Sequence, residues 1–175
     1  MIELVFGGAA SGKSEFAERE ALQCRKPFYY LATMRHGSSS GEQRIAKHVA
    51  RRDGSPFVTL EKPVAIGELA GRVKDGTVLL ECLTNLAANE LFDNGDVFNR
   101  EHEEEVYQRI CKDLDILASA SDSLIVVSGD VFRDGVRYAK ESEAYMRLLS
   151  RLNTYLSDKA DRVYEMVYAC PRRLK

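Results

Sequence analysis

Short apolar runs alternate with longer amphipathic stretches along almost the whole chain, and this alternation predicts parallel strands joined by crossover helices. Strands are expected at Ile2 to Phe6, Phe28 to Ala32, Phe57 to Glu61, Val78 to Glu81, Leu124 to Ser128 and Val163 to Tyr168. Helices are expected at Lys13 to Gln23, Glu42 to Arg52, Leu83 to Phe92, Asn99 to Ala120 and Ala139 to Asp158, each with apolar positions near the 3.6-residue period. The class this predicts is α/β, with a mostly parallel sheet flanked by helices. No repeat, low-complexity tract or Pro-rich linker divides the chain, so residues 1–175 are read as one domain.

Two stretches stand outside that rhythm. His36-Gly37-Ser38-Ser39-Ser40-Gly41 has the composition of a surface loop, either a lid or a plain solvated connector. The acidic run Glu101 to Glu105 is expected to form the exposed first turn of the long helix, where negative charge suits the positive end of the helix dipole.

Composition narrows the partners. Twenty-five Lys and Arg against 27 Asp and Glu leave a formal net charge of −2, so no global field favours nucleic acid or an anionic membrane, and a small-molecule partner is expected. Runs such as Leu124 to Val127 fall far short of the roughly 20 apolar residues that span a bilayer. The start, Met1 followed by Ile2-Glu3-Leu4-Val5-Phe6, lacks the basic stretch and long apolar core of a signal peptide, so a cytoplasmic protein is expected. Cys24, Cys82, Cys111 and Cys170 are scattered, without a C-x-x-C pair or clustered His, which argues against a zinc site and for reduced structural thiols.

The first chemical signal is Gly7-Gly8-Ala9-Ala10-Ser11-Gly12-Lys13-Ser14, a match to G-x-x-x-x-G-K-[ST] lying between an expected strand and an expected helix. Glycines let backbone amides curl around phosphate oxygens, and the new helix aims its unpaired N–H groups at the same charge. Lys13 is expected to reach the outer phosphates of a nucleoside triphosphate, and Ser14 to offer a hydroxyl to Mg²⁺. Glu81, at the end of Val78-Leu79-Leu80, is a second candidate metal ligand or nucleotide contact, its alternative being a solvent-facing cap.

The second signal lies in the expected helix from Glu42 to Arg52. At about 100° per residue, Arg44, His48, Arg51 and Arg52 fall within an arc of about 100°, while Ile45, Ala46, Val49 and Ala50 cover an adjoining side. Arginine forks bind phosphate oxygens in pairs, and neighbouring cations disfavour protonation of His48, leaving a neutral imidazole able to attack phosphorus. Taken alone, the same pattern also describes a solvated surface histidine.

Together, Gly7-Gly8-x-x-Ser11-Gly12-Lys13-Ser14, Tyr30-Leu31-Ala32-Thr33, Arg44-Ile45-x-x-His48-x-x-Arg51-Arg52, Thr59-Leu60-Glu61-Lys62-Pro63 and Leu79-Leu80-Glu81-Cys82-Leu83-Thr84-Asn85 resemble the bifunctional adenosylcobinamide kinases and adenosylcobinamide-phosphate guanylyltransferases of cobalamin biosynthesis. Arg151-x-Asn153 and Ala160-Asp161-x-Val163 continue the likeness to the carboxy-terminal end. The resemblance implies a recombinase-like P-loop fold, ATP and GTP as substrates with Mg²⁺, a corrinoid acceptor, and assembly into homo-oligomers, often trimers. It implies phosphoryl transfer to adenosylcobinamide, then transfer of GMP from GTP through a covalent guanylyl intermediate on His48. Carried over by position, Gly7 to Ser14, Ala32, Thr33, Met34, Val49, Ala50, Arg51, Arg52, Glu61 and Glu81 contact nucleotide.

The chain departs from the family pattern at Gly129-Asp130-Val131-Phe132, at Tyr145-Met146-Arg147 and at Ser40-Gly41-Glu42-Gln43. The departures bear on the corrinoid and the kinase step more than on nucleotide binding. Two other readings stay open on the residues alone: a small-molecule P-loop kinase with a single activity, and a nucleotide-binding regulator without turnover.

Overall fold

The computed structural model describes residues 1–35, 54–93, 99–131 and 138–175. The expected helix from Glu42 to Arg52, with His48 in it, and the loop from His36 to Gly41 lie outside the described residues.

Strands β1 (Ile2–Gly7), β2 (Phe28–Ala32), β3 (Phe57–Glu61), β4 (Thr77–Glu81), β5 (Ser123–Gly129), β6 (Arg162–Val167) and β7 (Cys170–Arg173) form a seven-stranded sheet in the order β3-β2-β4-β5-β1-β6-β7. All pairings are parallel except β6 with β7. Helices α1 (Lys13–Leu22), α2 (Leu83–Phe92), α3 (Arg100–Ala120) and α4 (Lys140–Lys159) agree with expectation to within two residues at each end.

The central strands are buried on both faces, as a sheet covered by helices requires. On β5 every residue from Ser123 to Ser128 is buried. Alternate side chains then supply two cores. Leu4, Leu80, Leu124 and Val126 meet Leu86, Ile110, Leu114, Leu148 and Leu152 from α2, α3 and α4. Val5, Leu79, Ile125 and Val127 meet Phe16, Ala17 and Ala21 of α1 on the other face.

Sequence periodicity missed two elements. A 3₁₀ helix at Ile66–Gly71 follows Ala65, whose φ of 51° is left-handed. Its entry is tied down by Glu90 of α2, which accepts from Ala65 N at 2.7 Å and pairs with Arg109 Nε at 2.8 Å. The other is β7, which returns along β6 after a two-residue turn at Tyr168-Ala169.

The acidic run opens α3 as expected, with Glu101, Glu104 and Glu105 exposed, and departs from a solvated turn at Glu103 alone. Asn99 caps α3 by accepting from His102 N at 2.8 Å. Glu103 is turned inward, only 9% exposed, and its Oε1 meets Arg147 Nη2 at 2.5 Å, while Glu104 meets Arg151 at 2.8 Å. These charges fasten α3 to α4, and Arg147 belongs to one of the segments where the chain departs from the family pattern. In the same segment the Tyr145 hydroxyl donates to Thr84 O at 3.4 Å, and burial pushes its pKa up to about 12.

One group strains this core. Glu3 on β1 is fully buried, neither carboxylate oxygen accepts a hydrogen bond among the described residues, and Arg162 Nη1 stands 3.9 Å away. Burial, with help from Glu20, raises its pKa from 4.5 to about 7 against the pull of Arg162 and Arg173. Between those two values the unfolded chain gives up a proton that the folded chain keeps, so the contribution to stability falls as pH rises from 4.5 to about 7 and is flat beyond. The loss is roughly 3 kcal/mol. Glu3→Gln should therefore raise the melting temperature at pH 8 by about 5 °C or more and change it little at pH 4, read by calorimetry across that range.

Candidate active site

Parallel sheets place their ligand sites beyond the carboxyl ends of the strands. Here Gly7 of β1 pairs with Gly129 of β5, and Glu81 of β4 sits one strand further along, opposite Val127 and Ala32. Ala32 in turn stands opposite Glu61 of β3. One edge of the sheet thus carries Gly7, Gly129, Glu81, Ala32 and Glu61.

The loop between β1 and α1 wraps over this edge. Gly7 has φ +156° and room for no side chain, since a Cβ would lie 2.6 Å from Met166 O. Gly12 caps α1 with φ +87°, and its Cβ would press on Ala169 at 3.2 Å. The loop is therefore wedged against the β6–β7 turn, which also donates from Ala169 N to Ser11 O at 2.9 Å. Gly8, Ala9 and Ala10 are exposed over the mouth of the loop.

Inside it, Lys13 Nζ donates to Gly8 O at 2.5 Å. Burial lowers the Lys13 pKa, and the nearby Glu81, Cys82 and Asp130 oppose that shift. Asp130 is held at the loop by its own N–H, which donates to Gly7 O at 3.1 Å. A half-buried ammonium leaning on a backbone carbonyl is poised to exchange that oxygen for a phosphate oxygen.

Ser14 Oγ donates to Glu81 Oε1 at 2.7 Å, across the width of the intervening β5. A hydroxyl and a carboxylate at this separation are oxygen donors of the kind Mg²⁺ takes alongside water and substrate phosphates. The residues fit such an ion. No group of three or more His, Cys, Asp or Glu side chains is arranged for a metal among the described residues.

Thr33 has a different role from its neighbours. Fully buried, its hydroxyl donates to Cys82 O at 2.8 Å and accepts from Cys82 N at 2.9 Å, while its N–H reaches Glu81 O at 3.0 Å. Asn89 Nδ2 then caps Thr33 O at 2.7 Å. This knot ties the end of β2 to the end of β4 and fixes the backbone that carries Glu81. Periodicity could not reveal it, because it depends on the register of two strands about fifty residues apart. Cys82 beside it is a half-buried residue whose thiol pKa is pushed up by burial and by Glu81.

The structure brings together Gly7 to Ser14 with Glu81, and sets Ala32, Met34 and Glu61 along the adjoining strand ends. Catalytic candidate His48 and the contact candidates Val49, Ala50, Arg51 and Arg52 lie outside the described residues.

A glycine-bounded loop opening a helix at the carboxyl edge of a parallel sheet, with Ser14 against a carboxylate two strands away, defines a P-loop nucleotide-binding protein. Solved structures share the fold: a protein of Pyrococcus horikoshii OT3 superposes with a TM-score of 0.55 at 10% identity, covering 99% of this chain and 85% of that one. A type III secretion system ATPase does so with a TM-score of 0.56 at 12% identity, covering 94% of this chain and 50% of that one. Sequence comparison is more specific. The chain belongs to the cobinamide kinase / cobinamide phosphate guanyltransferase family, whose model matches residues 3–174. It is 32% identical to the bifunctional adenosylcobalamin biosynthesis protein CobP of Pseudomonas aeruginosa, over all of this chain and 98% of that one. The corresponding protein CobU of Escherichia coli is 28% identical over the full length of both. This is a family of transferases, and no helix among the described residues is long and apolar enough to cross a membrane.

Replacing Thr33 by Val keeps its volume and leaves Cys82 N–H without its acceptor. Urea unfolding should show a loss of about 1–3 kcal/mol, and kcat of phosphoryl transfer should fall more than KM rises, because Glu81 is displaced rather than removed.

Proposed function

We propose that the Gly7–Ser14 loop and His48 divide between them the two reactions of the family. The loop binds the triphosphate of ATP or GTP through its backbone amides and Lys13, and Ser14 and Glu81 hold Mg²⁺. The ion, when bound, offsets negative charge on the outer phosphate oxygens. Lys13 leaves Gly8 O to follow the phosphoryl group as charge shifts onto the leaving oxygen. The aminopropanol hydroxyl of adenosylcobinamide attacks the γ-phosphorus, loses its proton, and the nucleoside diphosphate departs.

In the second reaction a neutral His48 nitrogen attacks the α-phosphorus of GTP and pyrophosphate leaves. The phosphate of adenosylcobinamide phosphate then attacks the same phosphorus, which frees His48 and yields adenosylcobinamide-GDP. By the family likeness Val49, Ala50, Arg51 and Arg52 contact that nucleotide, as do Ala32, Met34 and Glu61, while the buried Thr33 serves them by holding the strand ends together. The protein works in the cytoplasm as a homo-oligomer.

The observation that carries the first half is the 2.7 Å contact of Ser14 with Glu81 beneath a loop that already encloses Lys13. Family membership over residues 3–174 supports the second. Incubation with Mg²⁺ and α-labelled GTP should leave acid-labile label on the wild-type protein and on none of His48→Ala. With ATP and adenosylcobinamide, His48→Ala should still phosphorylate, whereas Lys13→Ala should lose at least about a hundredfold in kcat/KM. Label that persists in His48→Ala assigns the nucleophile elsewhere, and a wild type that phosphorylates without ever carrying label is a kinase alone.

A further inference from the structure

Strand β5 runs between β1, which leads into the phosphate loop, and β4, which ends on Glu81. Its last residue, Gly129, pairs with Gly7, so Asp130 follows beside the root of the loop, on the side toward Glu81. The backbone there is held from three directions. Asp130 N donates to Gly7 O at 3.1 Å. Asn153 of α4 accepts from the fully buried Ser128 at 2.6 Å and donates from Nδ2 to Gly129 O at 3.3 Å. Toward α2, Gly129 passes so close that a Cβ would lie 2.8 Å from Thr84 Cγ2. A strand end clamped to the loop and to two helices fixes where the half-buried Asp130 projects.

Two spaces meet at this residue. On one side is Lys13, whose ammonium feels the charge of Glu81, Cys82 and Asp130. On the other is a cavity of about 490 Å³ between α4 and strands β1 and β6, lined by Phe6, Ser150, Asn153 and Thr154 as well as by Asp130 itself. That cavity lies across β1 from the β2 and β3 strand ends, where the family likeness puts the guanine nucleotide. It leaves room for a second substrate on the opposite side.

Transfer of a phosphoryl group to an alcohol releases a proton, and the group that takes it has to stand beside the outer phosphate. Of the three groups whose charge Lys13 feels, Glu81 is engaged by Ser14 at 2.7 Å and assigned to the metal. Cys82 is a thiol that burial keeps protonated. Asp130 remains.

We propose that Asp130 is the catalytic base of the kinase step and takes the proton of the acceptor alcohol as it attacks. This rests on the phosphate-loop reading above and adds to it the group that readies the acceptor. The alcohol oxygen bonds to the γ-phosphorus, the bond from that phosphorus to the β–γ bridging oxygen breaks, and the nucleoside diphosphate leaves. The alcohol proton passes to a carboxylate oxygen of Asp130 and from there to water. A phosphate acceptor is already anionic, so the guanylyl transfer that follows makes no use of Asp130.

Asp130→Asn keeps the shape of the side chain and removes its basicity. With magnesium–ATP and adenosylcobinamide, kcat is expected to fall about a hundredfold or more while KM for each substrate stays within about threefold, and Asp130→Glu should recover most of the loss. In the same Asp130→Asn protein, α-labelled GTP should still label the chain and adenosylcobinamide phosphate should still discharge that label, both within about threefold of the wild-type rate. An unchanged kcat for phosphorylation in Asp130→Asn overturns the base. An equal loss in both transfers also overturns it and assigns Asp130 to the shape of the site. A loss of affinity for a non-hydrolysable magnesium–ATP analogue as large as the loss in kcat, read by titration calorimetry, overturns it in favour of a metal ligand. In each of these cases a wild type that binds the analogue leaves the phosphate loop standing, whereas a wild type that does not bind it sinks the loop and the base together.

Discussion

Backbone amides can be aimed at one anion only if the chain is bent into a shape that most residues resist and is then held there. In this protein the bend needs Gly7 and Gly12, and the holding comes from the neighbouring strand and hairpin, which leave no room for a Cβ at Gly7 and would be pressed by one at Gly12, where φ is also left-handed. The site depends on that wedge. It sets where α1 begins, so that Lys13 faces into the loop and Ser14 faces the end of β4. A loop with the same residues on an unsupported edge would sample other shapes and lose the convergence that makes weak amide dipoles act together.

The second constraint is the fixed spacing of a parallel sheet. Glu81 reaches Ser14 because β5 separates their strands by one position and because Thr33 locks the chain on either side of Glu81. Thr33 is fully buried, which holds its hydrogen bonds rigid, while the Ser14–Glu81 contact is part-buried and stays open to a ligand. The wall of apolar side chains beneath, on both faces of the sheet, fixes the strands from which these groups project. Glu3 shows the opposite case, a buried carboxylate that lowers stability above neutral pH and takes no part in the site.

Much of this could be read before any coordinates, for identifiable reasons. The phosphate loop is legible because its chemistry demands particular residue types at fixed separations, and Glu81 because a carboxylate closes an apolar run. Strands β1 to β6 follow from local hydrophobic pattern. What escaped was set by distant partners. Thr33 looks like any strand-end threonine until β2 and β4 are in register, and Glu103 looks solvated until Arg147, 44 positions later, turns it inward. The β6–β7 hairpin escaped because Tyr168-Ala169 contains neither Gly nor Asn, so the sequence carries no turn signal where the chain in fact reverses. His48, to which the proposed guanylyl transfer is assigned, was legible as a nucleophile only through family resemblance, since a basic helical face alone is equally a solvated one.

The central claim is that one triphosphate, its metal and a serine–glutamate pair meet at the carboxyl edge of the sheet. A crystal structure with Mg²⁺ and a non-hydrolysable guanine nucleotide tests this most directly. The account predicts phosphates inside the Gly7–Ser14 loop, Lys13 turned from Gly8 O to the outer phosphates, and the ion on Ser14 Oγ with Glu81 beside it. Phosphates bound away from the loop, or Lys13 still on Gly8 O with the nucleotide in place, would contradict it.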